Sequence, residues 1–177
     1  MKNWMDRWDW TYHRDGLVDH YVSGDLIVLG RYDEGEVFSG TDRLAMNVMP
    51  EAIEFLQKQE DKIVIFEGDR LSSSKFFRAA LDSGYDLKIL NITVLDNIRE
   101  KRYQERGSDQ SKQFIESRRT KVKNLLDEFG PQMTLFGEEL GYVTTLANNF
   151  PEDAEEISGH IASIIDDAII GAVISDL

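Results

Sequence analysis

Cysteine is absent from the 177 residues, so the chain can hold neither a disulfide framework nor a thiolate metal site. That fits a reducing compartment, and a cytoplasmic location is the expectation. Histidine is almost as scarce: the three at positions 13, 20 and 160 are too scattered to suggest a zinc site, and no metal-ligating set is expected. No apolar run approaches the roughly 18 to 20 residues of a membrane span, and the opening MKNWMDRWDW carries charge where a signal peptide needs its apolar stretch. A soluble chain with no membrane partner follows. None of the 13 glycines is followed by Lys, which excludes the loop GxxxxGK[ST] that cradles nucleotide phosphates.

What is present is acidic and globular. With 41% hydrophobic and 30% charged residues, the composition suits one packed domain over 1–177. Net charge is −13, unevenly spread. Between Ile98 and Lys123, nine Lys or Arg stand against four Asp or Glu, a +5 island that leaves −18 elsewhere. The general field repels nucleic acid, while the island could hold a compact anion such as a nucleotide phosphate. A solvated helix laced with ion pairs through Glu100, Glu105 and Glu116 is the plainer alternative.

Strands and helices alternate along the chain. HYVSGDLIVLG reads as two extended pieces around Ser23-Gly24-Asp25, with Leu26 to Leu29 a buried strand ended by Gly30. EVFSGTDRL is a loop. Pro50 opens a helix carrying Ile53, Phe55 and Leu56. Lys62 to Phe66 is a continuous apolar strand, as expected when both faces are covered. Ser72 to Ser74 offer caps for a helix with Phe76, Phe77, Ala80 and Leu81 on one stripe, stopped by Gly84. LKILNITVL is a further strand. Polar helices follow from Asp96 to Gly107 and from about Asp109 to Phe129. YVTTL is a short strand, and Pro151 begins a helix whose apolar face holds Ile157, Ile161 and Ile164 or Ile165. The alternation argues for a parallel sheet covered on both sides. The apolar stretch Ala168 to Ile174 makes an oligomer interface plausible.

In open parallel sheets, ligands bind beyond the carboxyl ends of the strands. Glu67, Asp69 and Arg70 directly follow a strand in KIVIFEGDRL. Two carboxylates there could take a proton from an attacking hydroxyl or orient a hydrated magnesium ion. Alternatively, Asp69 or Ser72 caps the next helix and Glu67 pairs with an arginine.

IVIFEGDRL, LKILNITVLDNIREKRYQERG, ESRRTKVKNL and YVTTLANNFPEDAEEI, in that order, resemble the run from third strand to last helix of P-loop nucleoside and nucleotide kinases. DLIVLGRYDEGEVFSGTDRL is similar to a stretch in phage-borne members, including those thought to phosphorylate hydroxymethyl groups on DNA bases. The pieces cover most of residues 16 to 165. The resemblance implies an α/β, parallel-sheet, three-layer sandwich lacking its first strand, P-loop and first helix. It also implies Glu67 as the carboxylate near the acceptor hydroxyl, with Arg31, Tyr32, Asp42 and Arg43 lining the acceptor pocket; position directly after the strand adds Asp69 as a second catalytic carboxylate and Arg70 at the acceptor. Arg102, Arg106, Arg118 and Arg119 would contact phosphate, the last two on a mobile lid. ATP and Mg2+ would be the cofactors of an active enzyme, and a nucleotide or modified DNA base its ligand. Without the loop, the chain is expected to be incomplete or degenerate, with a partner chain or a second copy as a possible source of the missing segment. A non-catalytic binding protein, or an acidic DNA mimic that occupies a protein partner, is the alternative.

Overall fold

The computed structural model describes residues 5–33, 36, 39–105, 107, 110–130, 132–133, 139–140 and 143–175, with 132–133, 139–140 and 167–175 as backbone alone. The chain forms two compact units, Met1–Asp86 with Ser158–Leu177, and Leu87–Ile157.

The first unit is built on a four-stranded sheet in the order β1 (Thr11–Asp15), β2 (Val18–Ser23), β3 (Leu26–Leu29), β4 (Ile63–Phe66). Only two residues separate β1 from β2 and β2 from β3, and so short a link permits only antiparallel neighbours. Gly16, at φ 56°, supplies the left-handed conformation that the first turn needs, and Asp15-Gly16 is its sequence signal. β3 and β4 are parallel, Leu26 facing Ile63 and Leu29 facing Phe66, because the connection between them is long enough to hold helix α1 (Met49–Gln57). After β4, Ser73 accepts a hydrogen bond from the Phe76 amide and starts α2 (Ser74–Asp82).

Alternation along β3 divides the core. On one side, Phe55 of α1 lies 4.6 Å from the His20 ring, and Phe76 of α2 meets Phe66 at 5.2 Å. On the other, Leu26 and Val28 cluster with Met5, Ala162 and Ile165, and Trp8, Trp10, Tyr21 and Tyr32 pack around them. Phe76, Ile27 and Leu29 are fully buried, each worth about 1.5–3 kcal/mol of burial.

The second unit pairs β5 (Ile89–Thr93) with β8 (Val143–Ala147) in parallel. Between them run α3 (Asp96–Glu105), α4 (Lys112–Phe129) capped by Ser111, and a short antiparallel pair, β6 (Gln132–Met133) with β7 (Glu139–Leu140). Helix α3 buries none of its side chains, as its polar sequence predicts. The last helix, α5 (Pro151–Ser175), starts where Asp153 accepts hydrogen bonds from the amides of Asn149 and Phe150, at 2.6 and 3.0 Å. It is divided between the units after Ile157.

The expected α/β class with parallel elements is present, with one correction. The sheet of the first unit is mixed, because the two hairpins set β2 antiparallel to both of its neighbours, β1 and β3. β4, expected to be covered on both faces, is only half-buried along its length. The oligomer expectation for Ala168 to Ile174 falls on side chains outside the described residues. Among the described residues, no helix is long and apolar enough to cross a membrane.

Candidate functional site

Parallel β3 and β4 end together at Leu29 and Phe66, so the described residues that follow them, 30–33 and 39–44 after β3 and 67–72 after β4, emerge side by side. Thr41, fully buried, pins the two. Its amide and its hydroxyl both donate to the Glu67 carbonyl, at 3.0 and 2.8 Å. Asp42 adds a second clip: its Oδ1 accepts from the consecutive amides of Asp69 (2.7 Å) and Arg70 (3.1 Å). Such charge-assisted bonds contribute about 1.5–3 kcal/mol where they are shielded from water. Arg70 returns the link by donating from Nη2 to the Asp42 carbonyl at 3.3 Å.

Glycine is required where the segments touch. A Cβ on Gly40 would lie 2.8 Å from Glu67 Cγ and 3.2 Å from the Tyr32 hydroxyl. One on Gly68 would lie 2.7 Å from Thr41 Oγ1 and 3.0 Å from Asp42 Oδ1. Both residues have positive φ. The strand-end carboxylate Glu67 and the Tyr32 hydroxyl therefore flank one tight crossing, and Ser39 donates weakly to Glu67 Oε1 at 3.5 Å.

Seven of the residues singled out in the sequence thus come together: Arg31, Tyr32, Asp42, Arg43, Glu67, Asp69 and Arg70. Their electrostatics are distinctive. Burial, and after it the Glu67 carboxylate, push the Tyr32 phenol far up, so its hydroxyl stays protonated near neutral pH and can donate a hydrogen bond. Arg31 pairs with Asp33 at 2.9 Å, and Arg43 sits between Asp33 (3.2 Å) and Glu36 (3.5 Å). Among the described residues, five buried side-chain atoms lack a hydrogen-bond partner. Three of the five belong to these residues: the Tyr32 hydroxyl, Arg70 Nε, and Arg43 Nη1, whose contacts with Asp33 and Glu36 are ion pairs without hydrogen-bond alignment. Unsatisfied buried donors are rare, and such a concentration marks a place where a ligand can complete the bonding.

The arginines of the second unit are placed otherwise. Arg102 donates to the carbonyls of Asn148 (2.8 Å) and Asn149 (3.4 Å), holding the turn after β8. Asn149 in turn accepts from the Leu95 amide at 2.8 Å, so the ends of β5 and β8 are tied as well. Asp96 bridges Arg99, at 3.0 Å, and Arg119. Arg118 lies over the Phe114 ring at 4.7 Å from its centroid. Arg106 lies outside the described residues.

Sequence reasoning missed Thr41 and Ser39. A single hydroxyl flanked by glycine carries no signal of burial; only the pairing of β3 with β4 reveals it. Among the described residues, no group of three or more His, Asp or Glu side chains could hold a metal ion. One oxygen of Asp42 is already committed to two amides.

No curated protein and no solved structure matches the chain. The model of the P-loop Nucleotide Kinase3 family matches residues 6–149, well over half of the 177 residues, and includes both strand-end sites. The chain belongs to the P-loop Nucleotide Kinase3 family.

Proposed function

We propose that this chain carries the acceptor side of a phosphoryl-transfer site, with a nucleoside, a nucleotide or a modified base in DNA as the acceptor and ATP with Mg2+ as the donor. Family membership supports a kinase-like function. The observation that carries the finer reading is the crossing of Glu67 with the Tyr32 and Asp42 segment at the ends of the parallel strands. Glu67 would take the proton of the attacking hydroxyl, the role a carboxylate plays in this chemistry. Asp69, Arg31, Arg43 and Arg70 would fix the acceptor around it.

The described residues suit an acceptor better than a donor. Donor phosphates in this chemistry rest on a GxxxxGK[ST] loop, which these 177 residues do not contain. We propose that the donor-binding segment lies outside them, upstream or in a partner chain. Magnesium, which favours one or two carboxylates together with phosphate oxygens and water, would come with the donor. Arg102, Arg106, Arg118 and Arg119 would contact phosphate. For Arg119 this means exchanging its exposed pair with Asp96, a contact of under about 1 kcal/mol that a phosphate readily replaces.

Two measurements test the reading. Titrating the purified chain with ATP and Mg2+ should give no saturable binding, and tight binding would overturn the split between donor and acceptor. Ligand-observed NMR with a mixture of nucleosides, their monophosphates and a hydroxymethyl-base oligonucleotide should reveal acceptor binding that Glu67→Gln weakens about tenfold or more. The variant should melt with the parent protein. Equal binding by both would sink the assignment of Glu67.

A further inference from the structure

We infer that the acceptor site selects an uncharged, nucleoside-type alcohol and rejects acceptors that carry phosphate, whether monophosphates or DNA; the inference rests on the acceptor reading above. The first support is charge. The described residues of 30–44 and 67–72 hold three arginines against five Asp or Glu, a net of −2. The unit that contains them holds ten Lys or Arg against twenty Asp or Glu. A phosphate monoester brings roughly two negative charges at neutral pH, and like charges brought together in a partly desolvated site cost several kcal/mol.

The second support is that the cations present are already in use. Arg31 and Arg43 face Asp33 and Glu36, and Arg70 is laid on the Asp42 carbonyl and the Met46 sulfur. Recognition of a phosphate calls for an arginine fork free to make two parallel bonds; Arg31 and Arg43 are held by carboxylates, Arg43 with its side chain only 19% exposed, and Arg70 has one buried nitrogen, Nε, without a partner. What the site still offers is neutral in demand. The Tyr32 hydroxyl and Arg70 Nε are buried donors that lack acceptors, and ring carbonyls, ring nitrogens or sugar oxygens satisfy them without added charge. Met46, 82% exposed beside Arg70, gives an apolar edge suited to a planar base. A DNA strand meets the same repulsion over a longer stretch, because nucleic-acid affinity rests on neutralising phosphates with Lys and Arg.

The test compares the affinities of the full chain for the common nucleosides, the matching monophosphates and a short oligothymidylate, in low salt. A nucleoside should bind about tenfold or more tightly than its monophosphate, and the gap should narrow as salt rises. The double variant Asp33→Asn, Glu36→Gln frees Arg43, so it should gain monophosphate binding while leaving nucleoside binding unchanged. Monophosphate or oligonucleotide binding as tight as that of the nucleoside would overturn the inference and leave the acceptor reading intact. Failure of every compound to bind, with Glu67→Gln indistinguishable from the parent protein, overturns the acceptor reading itself and this inference with it.

Discussion

The two units solve the same local problem with different materials. Each has a parallel strand pair whose carboxyl ends must be tied together. In the first unit the tie is made by backbone amides, a buried threonine and an aspartate, at glycines that admit no Cβ. In the second a backbone amide also takes part, Leu95 donating to Asn149, but long side chains supply the rest, with Arg102 on two carbonyls and, between the two helices, Asp96 on two arginines. Short, shielded bonds fix the positions of neighbouring groups closely, whereas flexible and exposed pairs hold them loosely and exchange partners at small cost. Under the function proposed above, the first arrangement suits a site that must aim one carboxylate at one hydroxyl. Under that same function, the second suits cations that have to move onto a mobile anion.

Glycine substitution offers the largest way to break this comparison. A Cβ on Gly30, at φ 109°, would lie 2.2 Å from the Gly40 carbonyl carbon, and backbone cannot swing aside as a side chain can. Gly30→Ala should therefore lose roughly 3 kcal/mol or more, a fall of roughly 6 to 12 °C in Tm. Gly107, in the second unit, also has positive φ, 61°, but among the described residues nothing lies within 4 Å of a Cβ there. Gly107→Ala should cost only the left-handed conformation itself, about 1 kcal/mol. Thermal denaturation of both variants decides the matter, and equal losses would show that the crossing of Gly30 with Gly40 is no tighter than the turn at Gly107.

The same contrast explains what the sequence disclosed. Strand β4 was readable as four apolar residues, and its position before a helix capped by serine placed Glu67 and Asp69 at a crevice. The LGRY and Gly-Thr-Asp segment came from resemblance alone. Nothing in the sequence revealed that Asp42 would hold the amides of Asp69 and Arg70, because that contact depends on the register of β3 with β4. Strand β1 was missed for a simpler reason. All five residues of Thr11–Asp15 are exposed, so no apolar alternation betrays them, and only the Asp15-Gly16 turn signal was available. In the second unit the sequence displayed a cationic island but not its partners. Asp96 and the carbonyls of Asn148 and Asn149 lie outside the run that was counted, and they bind Arg99, Arg119 and Arg102.

A smaller effect separates the two aspartates. Asp42→Ala removes a carboxylate oxygen from two partly buried amides and should cost about 2 kcal/mol, with much of it kept in Asp42→Asn, which still presents an acceptor. Asp96 is 65% exposed, so Asp96→Ala should cost under about 1 kcal/mol despite two ion pairs. Denaturant midpoints at constant slope measure both. A costlier Asp96 substitution would show that the second unit is tied as firmly as the first.

The smallest effect is set by pH, and it too divides the molecule. All three histidines and all three tryptophans lie in the first unit. His20 is buried against Phe55, and burial lowers its pKa from the ordinary 6.5, outweighing the opposing pull of the Val18 carbonyl. A folded value below the unfolded one means that the unfolded chain takes up the proton more readily. Stability is therefore complete above pH 6.5 and falls as the pH drops from there through the folded value. His20→Phe should flatten that response. If 1–177 is one domain, tryptophan emission and far-ultraviolet circular dichroism should move through a single coincident transition as the pH is lowered, because loss of the first unit would carry the second with it. Tryptophan emission that changes while most helical signal persists would instead mark two independently stable units, and would confine the acid response to the unit that holds Glu67.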